Sequence, residues 1–340
     1  MTKRKSPVLP VELVNCLQRI GSGLRTGTDI SRELDDALPL LWALPPGSIA
    51  KAEHEIVDAC ELHRYPRYYP TLPGALSPTA SMADILDRHD GLKYLYIFHR
   101  DGKLRQAALN RISNSLPTPF AFISIAWRLN DWVPQVRKAA AYCADRSFPA
   151  TDADIIAEAA IPLLSRKSSW TRWGAEHEIL DACLARRDVA QKVGLILAQG
   201  MTGPLASVLR EALKKPSLDP CLALLSSEAV QPAVRALALQ TLLNRKASWV
   251  VGYEWQWVEK PLGIRRKKTL FEHRNVSHTL SVTGLVKAGL KDRSGVVRKA
   301  AISAVIENPE MFPDARELAL RHVDDRSRPV RERAQFLLKP

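Results

Sequence analysis

One stretch of the chain combines aromatic and basic side chains in a pattern that could bind another molecule. Residues 248–258 alternate in the manner of a β-strand, which puts five side chains on one face: Trp249, Val251, Tyr253, Trp255 and Trp257. After a turn at 260–263, a second strand-like run carries four consecutive basic residues: Arg265, Arg266, Lys267 and Lys268. We therefore predict an inserted β-hairpin near 248–274 that contacts a partner.

The predicted hairpin has two interpretations. Proteins that bind single-stranded nucleic acid stack bases on aromatic rings and neutralise phosphates with basic side chains. Alternatively, the rings pack on the flank of the protein and the basic run is a solvated edge, where lysines discourage aggregation. The sequence leaves both open, and an acidic protein surface would suit the basic run equally well.

Two smaller clusters of aromatic and basic residues lie near predicted turns between helices. One surrounds Asp131, which Trp127 and Trp132 flank, and the other lies about 40 residues later. They form a second candidate binding surface, which comprises Trp127, Arg128, Arg166, Lys167, Trp170, Arg172 and Trp173.

The sequence lacks the motifs of common enzyme classes. It contains no glycine-rich phosphate loop, no Gly-x-Ser-x-Gly segment and no His-Glu-x-x-His segment. Glu176, His177 and Glu178 are consecutive positions of a predicted helix, so their side chains point in different directions and cannot converge on one ion. We predict no catalytic residue, no metal site and no cofactor.

The elements that position these clusters repeat along the chain. In each full copy an Asp in a polar turn precedes an Arg by six residues, and small residues follow the Arg: Asp131 and Arg137, Asp292 and Arg298, Asp325 and Arg331. Weaker copies keep an Arg and an Ala three residues later, at Arg105, Arg172 and Arg235. The steps between these six arginines are 32, 35, 63, 63 and 33 residues, and each step of 63 is close to two repeats. A fixed period near 32 residues indicates stacked structural repeats.

The repeat has a simple physical interpretation. Apolar residues follow each turn at helical spacing, and small side chains allow two helices to approach closely. One helix pair cannot bury its apolar face alone, so neighbouring pairs must stack. Charge-assisted hydrogen bonds between Asp and Arg of neighbouring copies would align the stack as a structural ladder. The Asp residues are therefore predicted to be turn and helix-cap residues.

These Asp and Arg copies, spread over about residues 91–338, resemble HEAT repeats. The resemblance implies an all-α protein, an α-solenoid of antiparallel helix pairs, and most such arrays are binding scaffolds. The segment from Trp127 to Asp131 is also similar to the Trp-x-x-x-Asp segment of the HEAT-like alkylpurine DNA glycosylases, which hold DNA in a basic concave face. Against that similarity, Asp131 falls on the ladder position, and Trp173 stands where a second arginine is expected.

Two regions are predicted. Residues 1–80 form a helical N-terminal cap that ends in a Pro- and Tyr-rich loop at 64–80. Residues 81–340 form the HEAT-like array, with the insertion at 248–274.

Composition limits the partners and the compartment. The chain has 49 basic and 36 acidic residues, a net charge of +13, so nucleic acid or an acidic protein is its natural complement. No apolar run approaches the roughly 20 residues that span a bilayer, and the basic start lacks the apolar core of a secretory signal. The five cysteines are scattered, as expected of free thiols in a reducing compartment. We predict a cytoplasmic, bacterial protein without a membrane partner.

The leading hypothesis is a non-enzymatic scaffold that binds a protein partner or multiprotein complex through its concave face and hairpin. The alternative is a protein that binds DNA or RNA, including a DNA-repair relative of the glycosylases, and a third class is a subunit that functions only within an assembly. The arginines discriminate between them. A nucleic-acid binder would present five of them on one positive face together with Lys267 and Lys268, whereas a scaffold would use them in ladders with Asp: Arg105, Arg128, Arg137, Arg166 and Arg172.

Overall fold

The computed structural model describes residues 6–63, 84–172 and 174–339. This part of the chain is mostly helical and contains one small antiparallel sheet of two strands, which confirms the prediction of a helical protein with an inserted hairpin. The chain divides into two compact units, Met1–Val189 and Ala190–Pro340. The predicted loop at 64–80, the predicted boundary after residue 80 and Trp173 lie outside the described residues.

The first unit is built from short helices joined by tight turns. Residues 84–88 are helical as well. In chain order the other α-helices are α1 (Val11–Thr26), α2 (Ser31–Trp42), α3 (Ile49–Ala59), α4 (Lys93–Tyr96), α5 (Gly102–Asn110), α6 (Pro119–Arg128), α7 (Pro134–Ser147), α8 (Ala153–Lys167) and α9 (His177–Ala185). The next helix, α10 (Arg187–Gln199), contains the boundary between the units.

Local sequence signals explain where helix α6 begins. The Thr118 hydroxyl accepts a hydrogen bond from the Ala121 N–H at 3.3 Å, and Pro119 occupies the first turn, where a missing N–H costs nothing. Fully buried phenylalanines then pack α6 against its neighbours α7 and α8. The rings of Phe122 and Phe148 lie 4.2 Å apart between their centroids. This packing fixes the end of α6 and the turn after it, from which Trp127, Arg128 and Asp131 project into the network described below.

One helix is shorter than its pattern indicates. The apolar spacing predicts a helix over 169–186, but α9 begins only at His177. In the preceding turn the Gly174 N–H donates to the Glu176 carboxylate at 2.6 Å, so a side chain takes the place of the backbone acceptor that a helix would provide.

The second unit contains helices on both sides of the hairpin. They are α11 (Leu205–Ala212), α12 (Leu222–Glu228) and α13 (Pro232–Asn244), then strands β1 (Lys246–Glu259) and β2 (Ile264–Asn275), and then α14 (Val282–Leu290), α15 (Gly295–Glu307), α16 (Ala315–Leu320) and α17 (Arg328–Leu338). Helix α13 packs against α15, and α15 packs against α17.

Small residues allow the close approach of α14 and α15. A side chain at Gly289 would lie 2.7 Å from Leu239 Cδ2 and 2.9 Å from Ala301 Cβ, so the position requires glycine. Around this contact a continuous apolar core includes Val286, Val305 and Phe312.

The hairpin pairs β1 with β2 from Lys246 and Asn275 to Glu259 and Ile264. Gly263 closes the turn with a φ of 68°, a left-handed conformation that favours glycine. The register shifts twice, and each time β1 carries the extra residue, first Val251 and then Val258. These are β-bulges, which the alternating pattern of the sequence does not reveal.

The first bulge corrects the prediction of a single aromatic face. Trp249 lies opposite Glu272, whereas Tyr253 lies opposite Thr269, and these two β2 residues are three apart. Because directly opposed side chains share a face and successive ones alternate, Trp249 lies on the other face from Tyr253. Val251 is the bulged residue itself and has no pairing partner on β2.

The candidate binding arm and the arginine–carboxylate network

Residues 250–271 form a projecting segment, which we call the arm. Ten residues of β1, from Val250 to Glu259, correspond to a length of about 33 Å at roughly 3.3 Å per residue. Large apolar side chains along the arm are exposed: Val250, Val251, Tyr253, Trp255, Trp257, Val258, Leu262, Ile264 and Phe271. Exposed apolar surface of this extent is typical of interaction sites.

An arginine anchors the base of the arm to the second unit. Arg274 donates to both carboxylate oxygens of Asp219, at 2.5 and 2.8 Å, and to the carbonyl oxygens of Leu213 at 2.6 Å and Lys215 at 2.9 Å. Ala247, opposite Arg274 on β1, is buried. The hydrogen bonds hold the first residues of the hairpin, and the arm begins beyond them.

One face of the arm carries stacked rings and cations. Tyr253, Trp255 and Trp257 follow one another on this face and are 58%, 66% and 42% exposed. The Arg265 guanidinium lies 3.8 Å from the centroid of the Trp257 ring, and the Lys267 ammonium lies 4.0 Å from that of Tyr253. Cation–π contacts at these distances hold both cations over the rings. We call this surface the aromatic face.

The opposite face of the arm is more polar. Lys268 and Glu254 lie directly across from each other and form a salt bridge of 3.0 Å, and Arg266 lies opposite Gln256. The four consecutive basic residues are therefore shared equally between the two faces, with Arg265 and Lys267 on the aromatic face. All four are exposed.

In the first unit, Asp131 is the centre of a buried charge network. Its carboxylate is fully buried and accepts hydrogen bonds from Arg105 Nη2 at 2.8 Å and Arg128 Nη1 at 2.9 Å. The Val133 N–H donates to the same carboxylate at 2.9 Å. Burial raises the pKa of Asp131, but the hydrogen bonds from Arg105 and Val133 and the charges of Arg128 and Arg105 outweigh it, so this pKa lies below its usual value.

A second carboxylate extends the network. Glu53, from α3, pairs with Arg128 and accepts a hydrogen bond from Trp127 Nε1 at 2.9 Å. The network therefore ties the end of α6 to α3. That Trp127 and Arg128 form a binding surface stays a prediction, but both side chains already have partners inside the unit.

A pocket of about 390 Å³ adjoins the network. Trp132 on its rim is 67% exposed, and the Arg105 guanidinium lies 5.9 Å from the Trp132 ring centroid. Burial lowers the pKa of His99, another lining residue, to about 4, so the imidazole is neutral near pH 7. The remaining lining residues are Glu53, His54, Val57, Phe98, Arg100, Trp127, Arg128, Asn130, Asp131 and Arg172.

Most side chains of the other predicted cluster contact residues of the first unit. Trp170 is buried, and its ring meets that of Trp127 edge-on at 5.6 Å between centroids. Arg166 donates to the Gly47 carbonyl oxygen at 3.1 Å, and Lys167 pairs with Asp181. Arg172 is exposed, and its backbone N–H donates to Asn130 Oδ1 at 3.0 Å.

In the second unit, arginines and aspartates of successive copies pair in the same way. Arg235 binds both carboxylate oxygens of Asp292, at 2.8 and 3.0 Å, and Arg298 binds both of Asp325, at 2.7 and 2.6 Å. The hydrogen bond and charge of Arg298 lower the pKa of Asp325 from 3.8 to about 2. Bidentate pairs of this kind are the stronger class of hydrogen bond.

The six-residue spacing has a different role from the pairing of successive copies. Within one copy the Arg donates to the main-chain oxygen of its own Asp: Arg298 to Asp292 O at 2.8 Å and Arg331 to Asp325 O at 2.6 Å. Arg137 likewise donates to Asp131 O at 3.0 Å. Arg298, in the middle of the ladder, thus donates both to the main-chain oxygen of Asp292 in its own turn and to the carboxylate of Asp325 in the next copy.

Sequence reasoning missed another set of arginines. Arg146 donates to the carbonyl oxygens of Asn110 at 3.1 Å and Ile112 at 2.8 Å. Arg186 donates to those of Phe148 and Thr151, both at 3.0 Å. Both arginines thus donate to carbonyl groups at turns of the preceding helix pair, where helix ends leave carbonyl groups without a partner in the helix. Because the acceptors are backbone atoms, no partner residue type marks these arginines in the sequence.

Neither protein-family models nor curated proteins match this chain.

Within the described ranges, no cluster of three or more His, Cys, Asp and Glu side chains could hold a metal ion. In the same residues, no helix has the length and apolar character needed to span a bilayer. Burial raises the pKa values of the Cys60, Cys143 and Cys183 thiols to about 12, which leaves them unreactive as nucleophiles.

Proposed function

We propose that the chain is a non-enzymatic scaffold of HEAT-like helix pairs in the bacterial cytoplasm, and that it binds an acidic protein surface or protein complex. The arm is the main contact, and the inner face of the helical array is the second. The exposed aromatic and basic surface of the arm carries this proposal. An isolated two-stranded hairpin is marginally stable in water, so an arm with this much exposed apolar surface is best explained by a partner that covers it.

The pairing of arginines supports a stack of repeats. In the second unit, α13, α15 and α17 pack in succession, and the Arg235–Asp292 and Arg298–Asp325 pairs join α13 and α15 to the turns before α15 and α17. In the first unit, the Arg105–Asp131 pair joins α5 to the turn before α7, which packs against it. This arrangement is what stacked HEAT-like helix pairs would require.

The use of the arginines favours a protein scaffold over a DNA-binding array. Arg105 and Arg128 are buried against Asp131, Arg137 bonds to the carbonyl oxygen of Asp131, and Arg166 bonds to that of Gly47. Only Arg172, of the five, is exposed in the described structure. The charges of Arg105 and Arg128 are thus compensated inside the first unit, and the guanidinium groups of Arg137 and Arg166 are held by carbonyl oxygens.

The state of Asp131 supports the absence of glycosylase activity. Its carboxylate is fully enclosed, and both oxygens accept charge-assisted hydrogen bonds, so it presents no free oxygen to a substrate. We expect no release of bases from alkylated DNA by the purified protein. Release that disappears in the Asp131→Asn variant would contradict the proposal.

Site-specific crosslinking in the native host tests the partner proposal. A photoreactive phenylalanine analogue replaces Trp255 on the arm and, as a control, Phe336 on α17, which is similarly exposed. We expect a defined protein to be captured from position 255 and not from 336. Identical capture from both positions, or none from 255, would overturn the arm as the binding element.

Nucleic-acid binding by the arm is the second candidate function. The aromatic face favours it, because rings next to cations are the combination with which proteins bind single strands. A titration with labelled single- and double-stranded DNA and RNA over a salt series tests it. Binding that weakens steeply with salt, and less steeply after Arg265, Arg266, Lys267 and Lys268 are changed to Ala, would establish phosphate contacts. Absence of binding at low salt would exclude it.

A further inference from the structure

The two edges of the arm differ in regularity. Both bulges lie on β1, at Val251 and Val258, and bulges interrupt the continuous pairing that another strand would need. Strand β2 has no extra residue between Ile264 and Asn275. Helices α11 and α13 also pack near β1 at the base of the hairpin. The regular edge of the arm is therefore that of β2.

The edge of β2 is open to a further strand. Among the described residues the sheet has two strands, so no third strand pairs with this edge. The edge contains no proline, and residues 264–268 are all exposed. A row of free backbone N–H and C=O groups of this kind is a template for strand addition.

The charges on β2 determine which strand can add. An added strand would meet Arg265 and Lys267 on the aromatic face, and Arg266 and Lys268 on the other. Like charges directly opposite each other destabilise a sheet, so a second copy of β2 or any basic segment is disfavoured. A segment with consecutive acidic residues would meet a basic side chain at every position, on both faces. Residues that flank its acidic run would lie beside Ile264 at one end and beside Thr269 and Leu270 at the other.

The rings prepare two of these cations for binding. Arg265 is held over Trp257 and Lys267 over Tyr253 before any partner arrives. A side chain that is already ordered loses less conformational entropy when it forms an ion pair.

We infer that the edge of β2 binds an extended acidic segment of a partner protein, which adds to the arm as a third strand. This inference rests on the proposed function and specifies how the arm recognises its partner. Main-chain hydrogen bonds would supply affinity, and the four basic residues would select acidic sequences.

A short peptide tests the inference with the full-length protein. The probe is a fluorescein-labelled octapeptide with four central glutamates, flanked on each side by valine and threonine, and fluorescence anisotropy reports its binding. We expect a variant with Ala at Arg265, Arg266, Lys267 and Lys268 to bind at least tenfold more weakly. The matched control changes four exposed basic residues of the same unit to Ala and should stay within twofold of the wild type: Lys291, Arg293, Lys299 and Arg326.

A second peptide separates strand addition from binding over a face of the arm. N-methylation of the four central amides keeps every side chain and charge but removes the backbone donors. We expect at least tenfold weaker binding for the methylated peptide, and slower hydrogen exchange in residues 264–271 when the unmodified peptide is bound. Equal binding of both peptides would overturn strand addition.

The outcomes also distinguish this inference from the proposed function. If the peptide fails to bind while the crosslinker at position 255 captures a protein, strand addition is wrong and the scaffold proposal stands. If the peptide fails and labelled oligonucleotides bind through the four basic residues, both are wrong and the arm binds nucleic acid.

Discussion

At the scale of single residues, Asp131 shows how charge is used inside this protein. Its carboxylate compensates two buried guanidinium groups, those of Arg105 and Arg128, and it also caps its own turn through Val133. Removing one partner from such a buried group leaves uncompensated charge and costs far more than the intact pair contributes. The residue is therefore essential for stability, whatever the partner of the protein proves to be.

We expect Asp131→Asn to destabilise the first unit by about 3–5 kcal/mol, because Arg105 would then be buried without a counter-charge and Arg128 would keep only Glu53. Urea unfolding followed by tryptophan fluorescence measures the change. The control is Asp87→Asn, which removes an exposed ion pair with Arg111 and should unfold like the wild type. Equal loss in both variants would contradict the importance of burial.

The pKa of Asp325 predicts a specific dependence of stability on pH. Its folded pKa of about 2 lies below the ordinary value of 3.8, so its ion pair with Arg298 stabilises the fold above about pH 4. This contribution is lost as the pH falls from about 4 to about 2 and the carboxylate is protonated. Thermal unfolding of the wild type and of Asp325→Asn should differ by a constant amount above pH 4 and converge toward pH 2. A difference that persists at pH 2 would refute this assignment.

The sequence identifies the types of these residues better than their partners. The spacing of Asp292 and Arg298 marks them as structural, and the structure shows why the interval is six residues: the guanidinium reaches the carbonyl oxygen of the Asp. The carboxylate partner lies in another copy, 57 residues away in the case of Arg235 and Asp292. No local pattern encodes that distance, because the hairpin lies between the two.

At the scale of elements, the hairpin is the clearest success of sequence reasoning and also shows its limit. Alternation and Gly263 indicate both strands and the turn. The bulge at Val251 is invisible to alternation, because the pattern of large side chains continues through it while the register shifts. As a result, alternation alone places Trp249 on the wrong face.

We expect Arg274→Ala to loosen the base of the hairpin, because the change removes hydrogen bonds to Asp219 and to two carbonyl oxygens. Hydrogen exchange over 246–249 and 272–275 should become at least tenfold faster, in keeping with a loss of about 1.5–3 kcal/mol for hydrogen bonds to a charged group. Arg266→Ala on the exposed part of the arm is the control and should leave exchange at the base unchanged. Equal exchange in both variants would show that Arg274 does not anchor the hairpin.

At the scale of the whole molecule, the division into two units was the least predictable feature. The same repeat period is found on both sides of Val189, and the repeat pattern is weaker only over the irregular helices at about 188–226. The boundary of a compact unit depends on how many contacts cross it, which is a property of packing rather than of local pattern. The predicted boundary near residue 80 lies outside the described residues.

Two units with separate ladders should respond separately to mutation. We expect Asp292→Asn to accelerate hydrogen exchange in α13 and α15, which the Arg235–Asp292 pair joins, and to leave α1 and α2 unchanged. Asp131→Asn should have the opposite distribution, with faster exchange in the helices that the network joins, α3, α5, α6 and α7, and unchanged exchange in α15 and α17. Accelerated exchange throughout the chain in either variant would mean that the units unfold together.

The anchor at the base of the arm has a mechanical consequence. Arg274 holds one end of a rod about 33 Å long, so a rotation of about 10° at the base would move the tip by about 6 Å. A projecting lever of this kind explores a larger volume than a flat surface of equal area, and the first encounter with a partner can occur away from the helical body. Shortening the arm near its base, with residues 264–268 kept, would then slow association before it affects the lifetime of the complex.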